Sequence, residues 1–521
     1  MIRLRRYASI AAIGLSAVSL GGYLWFSLET YGLGLPLDDA WIHQTYARNL
    51  AERGEWAFLP GEPSAGSTAP LWAALLAFAR VAGLGPVAAT LVFGVMALAL
   101  TGLICDRWLR ARLPDLRLSP LWVPVLVALE WHLVWAGLSG METLALALLT
   151  AAVLFAAEAR GFPPLAVGIL IGLGVWLRPD ALLLALPAGV LIAVNRQHSP
   201  VERARRMVQG VLGLSLLLLP YLAFNRSLSG EWWPSTYFAK QAEYASLRAE
   251  PLWSRLFLQL RAPLAGAGIV LAPGVVVGAA YAMRERRLER LVPLLWVGCF
   301  LGAYALRLPV VYQHGRYAMP VIPVLIVLGV EGMARWCRPG AAGLGRRLAS
   351  RLWLASLGMV TLVFWFIGGR AYGRDVAIIE TEMVRVAHWV RENTPPDALV
   401  AAHDIGALGY YGERRLIDLA GLVSPEVIPI LRDEAALAAH LQERQAGYLA
   451  TFPEWYPVLT RGLTPIFSTG GAFSPAAGGE NMAIYLWGRA SFAPQDMAVL
   501  YSGQSRHGRD DHGDHRRHYR R

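Results

Sequence analysis

Ser67-Thr68-Ala69-Pro70-Leu71-Trp72-Ala73-Ala74-Leu75-Leu76-Ala77-Phe78-Ala79-Arg80-Val81-Ala82 is the stretch on which the reading of the whole chain turns. Its apolar part, 68–82, is about 15 residues long, whereas a helix needs about 20 to cross the hydrocarbon layer. A crossing here would send every later basic loop to the opposite side. Lying along the interface instead, it leaves them all on one side.

Eleven longer runs flank it, at 8–28, 86–105, 118–137, 141–158, 162–178, 180–195, 208–225, 263–283, 291–307, 317–333 and 352–369. Those at 162–178 and 180–195 are short, and Arg178-Pro179 predicts a kink between them. With 68–82 off the count, the N-terminus, 106–117, 158–161, 195–207, 284–290 and 334–351 share a side and carry 21 arginines. The positive-inside rule makes that side cytoplasmic. The expected fold is therefore mainly α: a polytopic helical bundle of about 11 spans, residues 1–370, followed by a small extracytoplasmic α/β domain. Loops 29–85 and 226–262 face outside with that domain.

Composition agrees with this class. Of 521 residues, 55% are apolar and 16% charged, against about 25% charged in soluble chains. The formal charge of +11 comes from arginines dispersed between apolar runs, so a membrane rather than a nucleic acid is the expected partner. Cys105, Cys299 and Cys337 sit in or beside apolar runs without metal-ligand spacing. The first run lacks a small-x-small cleavage site before Glu29 and reads as a retained span.

Beyond residue 371 the composition becomes that of a globular domain, 371–490. Helices are expected over 376–393 and 433–445, and strands at Leu399–Ala402, Arg415–Leu419, Tyr448–Phe452 and Met482–Trp487. The alternation predicts α/β. Residues 491–521, with His507, His512, His515 and His518, read as a disordered His/Arg-rich tail.

The chemistry centres on Asp38-Asp39. A carboxylate can take the proton of a sugar hydroxyl; an acidic pair can equally cap a helix, and the two roles are compatible. A helix over 40–52 would place Asp39, His43 and Tyr46 on one face, opposite Ala40, Ala47, Leu50 and Ala51, as an interfacial helix. Lys240 is the sole lysine in the chain and a candidate phosphate ligand, with a surface lysine as the bland alternative. Arg178 ends an apolar run, where it serves function or snorkels to the interface. Arg316 beside His314 begins a span and either holds phosphate or anchors. Glu142 starts a helix, as a cap or a substrate contact. Trp41, Tyr46, Trp72, Trp232, Trp233 and Tyr237 are stacking candidates or ordinary interface aromatics. His403 and Asp404 end a strand, where α/β sheets often face ligand, with core packing as the bland alternative.

The strings Asp38-Asp39-Ala40-Trp41-Ile42, Tyr46-Ala47-Arg48-Asn49-Leu50, Pro60-Gly61-Glu62 and Gly66-Ser67-Thr68-Ala69-Pro70-Leu71-Trp72 resemble the first extracytoplasmic loop of GT-C glycosyltransferases. The likeness is to bacterial arabinofuranosyltransferase-like enzymes that use polyprenyl-phosphate sugars. Ser139-Gly140-Met141-Glu142-Thr143, Arg178-Pro179-Asp180 and Gly230 to Lys240 extend it, as do His403 to Tyr411 and Asp418 to Leu422. Trp232-Trp233-Pro234-Ser235 and Trp41-Ile42-His43 depart from the pattern and leave the sugar open.

The resemblance implies an enzyme of the bacterial cytoplasmic membrane that moves a sugar from a polyprenyl-phosphate donor to a glycan or lipid acceptor on the outer face. It implies Asp38 as general base and Asp39 as its orienting neighbour. Lys240, Arg316, Arg178 and His314 would bind the donor phosphate. Trp41, His43, Tyr46, Ser67, Thr68, Glu142 and Tyr237 would line the substrate pocket. A single displacement at the anomeric carbon would invert configuration. A divalent cation suits two carboxylates, but the pair alone supplies too few ligands to define a site. A lipid-sugar flippase would share the hydrophobicity but should show internal repeats and mid-membrane charges. A non-catalytic scaffold would leave the acidic pair unexplained.

Overall fold

The apolar runs form helices, because a backbone in hydrocarbon must satisfy its own hydrogen bonds. The computed structural model describes residues 2–115, 119–159, 161–195, 197–337 and 343–488; the expected tail at 491–521 lies outside them. Among the described residues, seven helices are long and apolar enough to cross a membrane: Ala8–Thr30, Pro86–Arg112, Pro200–Ser229, Ala267–Arg284, Leu288–Arg307, Tyr312–Trp336 and Leu344–Asn393. The protein is a multi-pass membrane protein.

The other four expected segments are helical but shorter or interrupted. Residues 118–137 split into Trp122–Leu129 and Trp131–Leu138. Between them Glu130 turns its carboxylate back to accept from Leu133 N at 2.9 Å and to meet His132 Nδ1 at 2.9 Å. Thr143–Glu158 has 16 residues and Pro164–Leu177 has 14. The expected kink is a full break: Arg178 is extended (φ −159°), and Pro179, lacking an N–H, opens a 3-10 turn before Ala185–Val194. The decisive segment is the 12-residue helix Pro70–Val81, about 18 Å long and too short to span.

Small residues let spans approach. A Cβ on Gly332 would lie 1.8 Å from the Gly274 carbonyl oxygen, so these helices pack backbone to backbone.

Basic loops expected to share a side meet at one end. Buried Glu331 pairs with Arg112 at 2.6 Å, Arg290 at 3.0 Å and Arg335 at 3.2 Å. Arg112 also meets Glu158 at 2.6 Å, and Arg335 meets Glu285 at 2.8 Å. Glu331→Ala leaves three guanidinium groups facing one another and should cost about 3 kcal/mol, the scale for breaking a buried pair. Thermal unfolding in detergent measures it. Arg205→Ala, which removes the exposed contact to Glu202 at 3.9 Å, should leave the transition unmoved.

The last span runs without interruption past residue 370: Leu344–Ile379 passes through a π-turn, Glu380–Val384, into Arg385–Asn393. Two short strands, β1 (Ala57–Leu59) and β2 (Glu62–Pro63), form a hairpin. The C-terminal sheet holds β3 (Leu399–Ala402), β4 (Arg415–Asp418), β5 (Tyr448–Thr451), β6 (Phe467–Ser468) and β7 (Ala483–Leu486) in the order β4-β3-β5-β7-β6. β3 runs parallel to β4 and β5, and β7 antiparallel to β5 and β6. The helix Glu434–Glu443, capped by Asp433 through the Ala435 and Ala436 amides, packs Leu437 and Leu441 against Ile417, Leu449 and Tyr485.

The helix expected to lie in the interface is instead clamped. Asp38–Arg53 buries Asp38, Ala40, Trp41, Ile42, His43, Gln44, Thr45, Tyr46, Ala47 and Asn49, leaving no broad polar face to water. Trp41 fits between Tyr410 and Tyr411, with ring centroids 4.9 and 4.8 Å away, and Arg48 donates to the carbonyls of Gly409 and Tyr410. The C-terminal domain covers this part of the helix, and the Pro70–Val81 helix and β1 cover much of the rest.

Candidate active site

The Asp38–Arg53 helix starts at the acidic pair, after Leu37 in extended conformation, and stops at Gly54, which takes the left-handed conformation (φ 69°) favoured at a helix C-terminus. The two carboxylates at its start have different surroundings. Asp38 accepts from the amides of Gly406 at 2.7 Å and Ala407 at 2.8 Å, one oxygen each. Burial and the neighbouring Asp404 push its carboxyl up, against the pull of those amides.

Asp39 points the other way, with 28% of its side chain exposed. Arg316 donates to its Oδ2, and Lys240 Nζ lies 3.7 Å from the same oxygen. Burial alone would raise its pKa; Lys240 and Arg316 outweigh that and hold it well below the usual carboxylate range. Lys240 and Arg316 also reach the Tyr317 hydroxyl, at 3.1 and 3.2 Å. Arg316, Arg178 and Lys240 lie over the Tyr317 ring at 5.0, 5.1 and 5.7 Å from its centroid. Arg316 is 2% exposed, and its Nε and Nη1 are buried without a protein partner.

Behind this group, Arg178 meets Glu142 at 3.0 Å, Asp180 at 3.1 Å and the Tyr304 hydroxyl at 2.8 Å. Tyr304 donates to Asp180 and stacks on Tyr317. Glu142 faces His43 at 3.5 Å, and His43 Nδ1 meets the Ser67 hydroxyl at 3.3 Å. Of the residues expected from sequence, Asp39, Lys240, Arg316, Arg178, Glu142, His43 and Ser67 thus form one connected set. Tyr317, Tyr304 and Asp180 join it unforeseen, although Arg316-Tyr317 and Arg178-Pro179-Asp180 are each contiguous in sequence.

Others stand apart. His314 turns to Asp375 at 2.7 Å, against Trp131 and Trp135. Gln313, His314 and Gly315 are all left-handed (φ 54°, 59° and 69°), an unfavourable turn that delivers Arg316 to the cluster. Trp41 is packed away from solvent, as described. The hydroxyl of Tyr46 is fully committed, to the Ser64 hydroxyl at 2.6 Å and the Gly66 amide at 3.0 Å, and so shapes the loop. Thr68 is half-buried. Tyr237 is 40% exposed, on the helix Ser235–Glu243 that carries Lys240.

Among the described residues no group of three or more His, Cys, Asp or Glu side chains is placed to hold a metal. The oxygens of Asp38 face amides and Oδ2 of Asp39 faces two cations, so the pair does not fit a divalent ion.

A family profile described as a domain of unknown function (DUF8728) matches residues 375–492. No curated protein matches the chain in sequence. Among solved structures, ArnT from Cupriavidus metallidurans in the apo state aligns over 92% of this chain and 98% of its own, with 14% identity and a TM-score of 0.54. The same protein bound to undecaprenyl phosphate aligns over 91% and 97%, with 14% identity and a TM-score of 0.53. Arabinofuranosyltransferase AftD from Mycobacteria aligns over 94% of this chain and 42% of its own, with 16% identity and a TM-score of 0.49. The chain shares the fold of ArnT over nearly its whole length.

Proposed function

We propose that this protein transfers a sugar from a polyprenyl-phosphate donor to a hydroxyl acceptor, with inversion, at the outer face of the bacterial cytoplasmic membrane. The observation that carries this reading is Arg316: a buried guanidinium with two unpartnered donor nitrogens, next to Lys240 and a carboxylate. Buried donors without partners are costly, and a guanidinium fork matches phosphate oxygens. The fold shared with a protein crystallised with undecaprenyl phosphate supports the lipid phosphate.

In this reading Arg316 and Lys240 hold the donor phosphate, with Arg178 behind them across Tyr317. Transfer breaks the anomeric C–O bond and frees the lipid phosphate monoester, whose growing negative charge the fixed cations stabilise. The acceptor oxygen bonds to the anomeric carbon, and its proton passes to Asp39, the more exposed carboxylate. The resemblance implied Asp38 for that step; with both oxygens on backbone amides, Asp38 is better suited to fix the helix start. As phosphate draws off Lys240 and Arg316, Asp39 loses counter-charge and becomes more basic. His43, Glu142 and Ser67 line the acceptor side.

Purified protein in proteoliposomes, given radiolabelled polyprenyl-phosphate sugars, tests the activity. Lys240→Ala and Arg316→Ala should each weaken undecaprenyl phosphate binding about tenfold or more, the scale of a lost charge-assisted hydrogen bond. Unchanged binding in both variants would sink the phosphate assignment.

A further inference from the structure

Lys240 is one turn from Glu243 on the nine-residue helix Ser235–Glu243, and that turn touches the C-terminal domain. Glu243 meets His403 Nε2 at 3.5 Å. The other ring nitrogen of His403 meets the Tyr456 hydroxyl at 2.8 Å, and Trp455 packs edge-on to the imidazole, with centroids 5.0 Å apart. His403 directly follows β3 and is followed by Asp404 and then by Gly406 and Ala407, whose amides hold Asp38. One loop of the domain therefore grips both halves of the site. Residues 406–407 hold the start of the Asp39 helix, and residue 403 holds the helix that presents Lys240.

The Ser235–Glu243 helix buries Ser235, Thr236 and Ala239 and packs along Pro425–Ile430 of the C-terminal domain. Tyr237 and Phe238 are exposed, and its polar ties beyond Lys240 and Glu243 are single contacts: Ser235 N to the Ala65 carbonyl, Arg248 to the Gln241 carbonyl and Arg432 to the Ala242 carbonyl.

We propose that His403 is a positioning residue of the active site: through Glu243 it sets the rotation of the Lys240 helix, so that the C-terminal domain determines whether the ammonium group reaches Asp39 and Tyr317. His403 touches neither Asp39 nor Lys240 and acts only through the helix. Burial disfavours its charged form, but Tyr456 and Glu243 outweigh that and raise its pKa well above the ordinary imidazole value. The inference rests on the phosphate role given to Lys240 above for its catalytic meaning, but not for its geometry.

Lys240 is the sole lysine, so an amine-acylating reagent reports it alone apart from the N-terminal amine, and peptide mass spectrometry separates the two. In full-length protein in detergent, His403→Gln and Glu243→Gln should each raise the acylation rate of Lys240 about tenfold. The double variant should match the singles, because each removes the same tie. In transfer assays the singles should raise donor KM about tenfold with kcat within about twofold, the pattern of lost binding rather than lost chemistry. Acylation rates equal to wild type in both singles, or effects that multiply in the double variant, would overturn the proposal. Glu243→Gln lies outside the C-terminal domain, so its result stands even if His403→Gln disturbs that domain's folding. If the wild type transfers no sugar from any polyprenyl phosphate, the donor reading fails, while the acylation rates still decide on the tie.

Discussion

Asp39→Asn should lower kcat by about 10²- to 10⁴-fold, the range expected when a positioned proton acceptor is lost, without weakening the lipid phosphate. The amide fills the same volume but cannot take the hydroxyl proton. It also removes the anion that now competes for Arg316 and Lys240, so undecaprenyl phosphate should bind as tightly as to wild type, or more tightly. That opposition of signs separates a chemical role from general damage, which would weaken both. Asp38→Asn should behave differently. One of its two amide contacts is lost when a carboxylate oxygen becomes NH₂, so stability and domain seating fall first. If Asp38→Asn alone gave the full loss in kcat at unchanged thermal stability, the assignment of the proton to Asp39 would be wrong.

Gly406→Ala should unseat the C-terminal domain and cost about 3 kcal/mol, the upper range for overpacking. A Cβ there would lie 2.0 Å from the Asp38 carbonyl oxygen and 2.8 Å from Oδ2. The nearer atom is backbone, which cannot rotate away as a side chain can. The variant should melt at lower temperature and release a C-terminal fragment faster under limited proteolysis, with transfer falling in step. Gly412→Ala is the control. Its added Cβ would come no closer than 3.6 Å, to Leu408 Cδ2, and should change little. Equal behaviour of the two variants would mean that the Asp38 contact does not seat the domain.

The membrane fold was legible because hydrocarbon imposes a uniform demand on sequence. Runs long enough to span, and a 12-residue helix too short to do so, are visible in composition alone. The strands of the C-terminal sheet were legible as short β-branched and aliphatic runs between turns; β6, two residues long, was too short to register. The burial of the Asp38–Arg53 helix was not legible. Its alternating character looks interfacial until its covering surfaces are known, and one of them comes some 350 residues later, with Gly406, Ala407, Tyr410 and Tyr411. Two of these contribute backbone amides, which leave no mark in side-chain pattern. The break at Glu130 was hidden likewise, because a carboxylate that caps the following turn looks like any polar residue in an apolar run. Trp41 and Tyr46 show the converse: aromatic residues next to an acidic pair invite a sugar-stacking reading, yet one packs against the domain and the other ties down a loop.

The uninterrupted helix Leu344–Asn393, 50 residues long, is about 75 Å from end to end, while the apolar layer is about 30 Å thick. Its hydrophobic stretch fixes how deep it sits, and its continuous backbone links that depth to the sheet. The rod acts as a gauge, setting the height of the β-sheet above the lipid. A thicker or thinner bilayer would tilt it and shift the loop after β3 against the Asp38–Arg53 helix. Lipid chain length thereby bears on how the C-terminal domain seats on that helix.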